Sequence, residues 1–76
     1  MKYVFGVMSN KWELEAEDNL TAYIAISIHV GQNIPIACYS PHNYAFMPAD
    51  ILANNPDMVK PSVLRACMKT IKEVKR

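Results

Sequence analysis

Residues 19–33, NLTAYIAISIHVGQN, constrain this chain more than any other segment, because their apolar side chains obey two incompatible periodicities. Read as a strand, Leu20, Ala22, Ile24, Ile26, Ile28 and Val30 alternate with the smaller or more polar Thr21, Tyr23, Ala25, Ser27 and His29. Period-two alternation with three isoleucines is a strand signal. Read as a helix, the segment has marked ends. Asp18 or Asn19 suits the N-cap, Glu17 and Asp18 complement the positive end of the dipole, and Gly31 suits the position after the last turn, next to His29. Twelve residues match a mean helix and are twice a mean strand. The helix is favoured; the strand stays open.

Such a helix would be apolar nearly all round. Leu20, Tyr23, Ile24 and Ile28 face one way, and Ala22, Ile26 and Val30 the other, so it needs cover on both sides. A second copy of the chain is one source of that cover, which leads to an expectation of a two-fold homodimer.

Before this segment, KYVFGVM, SNK and WELEAE read as a β-hairpin. Tyr3, Phe5 and Val7 share a face, and Trp12, Leu14 and Ala16 alternate with Glu13, Glu15 and Glu17. A two-residue loop at Ser9 and Asn10 would set Val7 opposite Trp12 and Phe5 opposite Leu14, with the three glutamates in water. After it, IPIACYS (34–40) is a strand, PHNYAFM a loop, and PADILANN a short helix ended by asparagines and Pro56. PSVLRACMKTIKEVKR, with Pro61 at the first helical position, carries an apolar stripe of Leu64, Cys67, Met68, Ile71 and Val74 and reads as one helix to the C-terminus. The fold class is α+β: a small, mostly antiparallel sheet with helices packed on it, in the order β-β-α-β-α-α. A four-strand meander followed by the same C-terminal helices is the alternative.

Seventy-six residues suffice for one domain near the lower limit of independent stability, spanning 1–76 without repeat or linker. With 51% hydrophobic and 20% charged residues the chain is too apolar to be disordered. Its richest apolar run, Tyr23–Val30, is broken by Ser27 and His29 and is far short of a membrane span. The N-terminus lacks a signal-peptide h-region, so a cytoplasmic protein without membrane contact is expected. Cys38 and Cys67 read as reduced, small core residues rather than a disulfide framework.

Chemistry-bearing motifs are scarce. Two glycines, Gly6 and Gly31, cannot write a phosphate loop or dinucleotide fingerprint. His29, Cys38, His42 and Cys67 are of zinc-ligand type but lack the paired short spacings of zinc modules, so no metal or other cofactor is expected. Ser40 and His42 flank Pro41 without an obvious orienting carboxylate. Glu13, Glu15 and Glu17, solvated by alternation, do not form a shielded acid/base pair. An enzyme is not expected.

Binding is the remaining class. Tyr44, Phe46 and Met47 cluster in an otherwise polar loop, in the residue types that enrich interface cores. The acidic strip Glu13, Glu15 and Glu17 could steer a basic partner. The chain therefore reads as a non-catalytic protein acting by stoichiometric binding to another protein, as an inhibitor or adaptor. Compact, motif-free chains of this size are common among accessory proteins of phages and mobile elements. The alternative is nucleic-acid binding. Charge is divided along the chain, with six acidic and two basic residues up to Asp57 and six basic and one acidic after it. Arg65, Lys69, Lys72, Lys75 and Arg76 on one C-terminal helix would face phosphates. A third reading is a self-assembling structural protein.

Overall fold

The structure is a computed structural model and describes residues 1–55 and 57–74. The segment 19–30 is a helix. Five strands and three helices follow one another as β1 (Lys2–Val7), β2 (Asn10–Glu15), α1 (Asn19–Val30), β3 (Ile36–Ser40), β4 (Tyr44–Phe46), α2 (Pro48–Asn54), α3 (Pro61–Met68) and β5 (Lys72–Val74). The strands form one antiparallel sheet in the order β4-β3-β1-β2-β5. The fold is α+β, with two more strands than the sequence reading supplied. β2 and β3 flank β1, so α1 carries the chain from one side of β1 to the other and packs on the sheet face that holds Tyr3, Phe5, Leu14, Ile36, Cys38 and Phe46.

The caps of α1 are those its sequence marks. Asp18 is the N-cap, and its carboxylate accepts the Thr21 N–H at 2.8 Å. Gly31 follows the last turn at φ +99°, a backbone that disfavours side chains, and its N–H donates to the Ser27 carbonyl at 3.0 Å. Capping helps, but burial decides: Thr21, Ala22, Ile24, Ala25, Ile26 and Ser27 are all buried. The second cover comes from the chain itself, because α2 and α3 both pack against α1. Part of the cover that the sequence called for is thus supplied within one chain, while Ile28 of α1 stays 45% exposed.

The hairpin forms, with its turn one residue earlier than expected. Val7 pairs with Asn10, Phe5 with Trp12 and Tyr3 with Leu14, so Met8 and Ser9 are the turn residues, with Met8 at φ +57°. The pairing is displaced by two residues from Val7 opposite Trp12. A slip of two preserves the face of every side chain, so the apolar face survives the error.

Both edges of the sheet depart from the expected layout. The expected loop PHNYAFM contains β4, which pairs with β3 through Phe46 opposite Ile36 and Tyr44 opposite Cys38. The expected helix 61–76 stops at Met68, and the chain returns as β5 along β2, with Lys72 opposite Glu13 and Val74 opposite Lys11. Thr70 makes the break. Its hydroxyl donates to the Cys67 carbonyl at 2.6 Å, and its oxygen accepts the Glu15 N–H at 2.8 Å, joining the helix end to the end of β2. The backbone groups along β2 outweigh the local helical preference of residues 69–74, because a strand edge offers a whole row of hydrogen bonds. Lys75 and Arg76 lie outside the described residues, as does Pro56. No described helix is long and apolar enough to cross a membrane.

Candidate interaction surface

β4 places Tyr44 and Phe46 on the helix-facing side of the sheet, at its edge. Phe46 is 8% exposed and belongs to the core, edge-on to Phe5 with ring centroids 6.4 Å apart. Of Tyr44, Phe46 and Met47, it is the one that is buried. Tyr44 is 52% exposed, yet one side of its ring is occupied: it stacks on Tyr23 of α1 at 5.7 Å and 11°. Tyr23 in turn lies 4.8 Å from Phe46 and meets Phe5 edge-on at 5.9 Å. Burial, followed by the neighbouring Cys38 thiol, pushes the Tyr23 phenol up to about 12, so it is uncharged under physiological conditions. Tyr44 is therefore a half-exposed aromatic on a rigid base of three rings. Met47, at the N-cap of α2, is 37% exposed.

The acidic strip does not survive as a strip. Glu13 sits between Lys2 at 3.1 Å and Lys72 at 3.6 Å, and its side chain is only 17% exposed. The Lys2 hydrogen bond, aided by both lysine charges, holds its carboxyl below the usual carboxylate range. Solvation was the wrong expectation because β5, invisible in the hairpin pattern, brings Lys72 beside it. Glu15 lies 3.2 Å from the Met1 ammonium. Glu17, past the end of β2, is exposed and has no ion-pair partner among the described residues.

The basic cluster is dispersed too. Arg65 is on α3, Lys69 is its C-cap, and Lys72 is in β5 and pairs with Glu13. With the helix ending at Met68, the expected row of phosphate-facing cations on one helix is not formed. The residues of zinc-ligand type also point elsewhere: the His29 ring packs edge-on to Trp12 at 4.8 Å, and the Cys38 thiol donates to the Ser40 carbonyl at 3.4 Å. Both cysteines are free and buried.

A groove of about 440 Å³ runs between α3, the start of α1 and the end of β2, lined by Glu15, Glu17, Thr21, Val63, Ala66 and Cys67 among others. Burial, then the charge of Asp18, raises the Cys67 thiol above its ordinary value, so the groove holds a neutral thiol and no ready nucleophile. Its walls come from three separated segments, so no local pattern could have revealed it. No protein-family model matches this chain, and comparisons with curated proteins and with solved structures return no significant match.

Proposed function

We propose that this protein acts by stoichiometric binding to another protein, as an inhibitor or adaptor without catalysis of its own, and that Tyr44 is the centre of the binding surface. The observation that carries the reading is the Tyr44–Tyr23 stack at 5.7 Å. An exposed aromatic already held against a partly buried ring loses little conformational freedom on binding and offers a large amphipathic contact. Interface anchors are enriched in such residues. Met47, three residues beyond Tyr44 along the chain, adds an exposed apolar side chain.

The test is affinity capture from a lysate of the source cells, with nuclease treatment, comparing wild type with Tyr44→Ala and Met47→Ser. A protein recovered by wild type at fixed stoichiometry and lost with the double variant, whose thermal unfolding still shows a cooperative transition, supports the reading. Equal recovery with both proteins sinks it.

A further inference from the structure

The groove beside α3 combines an apolar wall with an excess of negative charge. Val63, Ala66 and Ala16 supply apolar lining, and Glu15 and Glu17 stand on the β2 side. The Thr70 oxygen accepts the Glu15 N–H, which joins the end of β2 to the C-terminal end of α3 along the groove. Among the described residues, the cation that lines the groove is the Met1 ammonium, and it is engaged by Glu15 at 3.2 Å and the Ala16 carbonyl at 3.0 Å. Glu17 has no such partner among the described residues. The Cys67 side chain, 5% exposed, lines the groove without a hydrogen bond among the described residues. The volume lies within the range of ordinary ligand sites, and an alkyl stem ending in a charged head matches its lining.

We infer that this groove receives a lysine or arginine side chain of the partner protein, its methylene stem against Val63 and Ala66 and its cationic head at Glu17. The inference rests on the protein-binding reading but uses a place on the molecule distinct from Tyr44. Complementary charge at the groove would set register and speed encounter more than it would add affinity.

The experiment uses an N-acetylated, C-amidated peptide with one lysine between two leucines, and a twin with norleucine in place of lysine. Both are titrated into the isotope-labelled protein while the amide resonances of Glu17, Thr21, Ala66 and Cys67 are followed. Saturable shifts are expected for the lysine peptide. The norleucine twin, Glu17→Gln and raised salt should each weaken binding by roughly two- to fivefold, the scale of one exposed ion pair. Ala66→Phe, which fills the groove from an exposed helix position, should abolish it. Tyr44→Ala should leave it unchanged, which separates a failure here from a failure of the Tyr44 surface. Absence of saturable shifts at the groove amides, or equal binding of the two peptides, overturns the inference.

Discussion

The hydroxyl oxygen of Thr70 accepts the backbone N–H of Glu15 at 2.8 Å, a bond between residues 55 positions apart. It fixes the point at which the C-terminal chain stops being helical and turns onto the sheet. The same hydroxyl, donating to the Cys67 carbonyl, closes the last turn of α3. Thr70→Val keeps the shape and removes both bonds. Because the site is exposed enough for water to replace part of the loss, the expected destabilisation is about 1 kcal/mol. Amide exchange should accelerate at Glu15 and across residues 72–74 ahead of the rest of the sheet. Unchanged exchange there would mean that the β2–β5 ladder holds without Thr70.

Tyr44 and Phe46 lie two residues apart on one strand and differ in kind. Phe46→Ala empties a core position packed by Phe5 and Tyr23 and should cost about 3–5 kcal/mol. That is comparable to the whole stability expected of a domain this small, so largely unfolded protein should be seen by circular dichroism. Tyr44→Ala loses two stacked pairs, with Tyr23 and with Phe46, about 1–2 kcal/mol for a half-exposed ring, and should remain folded. Equal losses from the two substitutions would contradict the placement of Phe46 in the core and Tyr44 at the surface.

Acid should weaken the fold through Glu13 and Asp18. Lys2 holds the Glu13 carboxyl down, and the Thr21 backbone N–H does the same for Asp18. A lowered pKa means that the folded state favours the ionised form. The contribution is therefore complete above the unfolded carboxylate values of about 4 and is lost as pH falls through the folded ones. Glu13→Gln combined with Asp18→Asn, which keeps a capping side chain, should flatten the decline of Tm below about pH 4. A decline as steep as that of wild type would assign acid sensitivity to other carboxylates.

Alkali acts through Tyr23 with the opposite sense. Its phenol, raised to about 12 by burial and then by Cys38, contributes stability that is complete below the unfolded value of about 10. That contribution is lost as pH rises through the folded value. Unfolding should begin between these limits together with phenolate absorbance, and Tyr23→Phe should shift the onset upward. Ionisation of every tyrosine near its ordinary value, with the fold intact, would show that Tyr23 is not shielded.

On the open face of the sheet the Tyr39 ring lies over Gly6, where an added Cβ would come within 2.5–2.8 Å of it, and the Lys11 ammonium sits 5.7 Å from the ring centroid. Tyr39 is half-exposed and free to swing outward. Gly6→Ala should displace the ring and break its contact with Lys11. The loss, about 0.5–1 kcal/mol, is offset by the conformational advantage of alanine over glycine in a strand. Tm should change by no more than a few degrees while the Tyr39–Lys11 proximity signal in NMR disappears. A fall beyond about 8 °C would show that the ring cannot move.

Much of the fold was legible because it follows from local chemistry. Asp18 and Gly31 bound α1 where their side-chain and backbone preferences require, and Tyr3, Phe5, Trp12 and Leu14 share a face because strand side chains alternate. The α+β class followed from these elements. The candidate site was less legible. Tyr44 and Met47 were recognisable as exposed apolar candidates, but Phe46 was not separable from them, since burial depends on Phe5 and Tyr23, which are distant in sequence.

By itself, then, the sequence determined what is local: a hairpin face, the cap residues Asp18 and Gly31, and the starts of two proline-led helices, while burial of residues 21–27 decided that the segment between the caps is a helix and not a strand. Tertiary structure decided the rest. β4 and β5 are three residues each, too short to carry a periodic signal, and they exist because β3 and β2 present rows of backbone groups that need partners. Bringing β5 to β2 also converted Glu13 from a solvated residue into an ion-paired one. The groove beside α3 arose the same way, since only packing could bring the end of β2, the start of α1 and one side of α3 together.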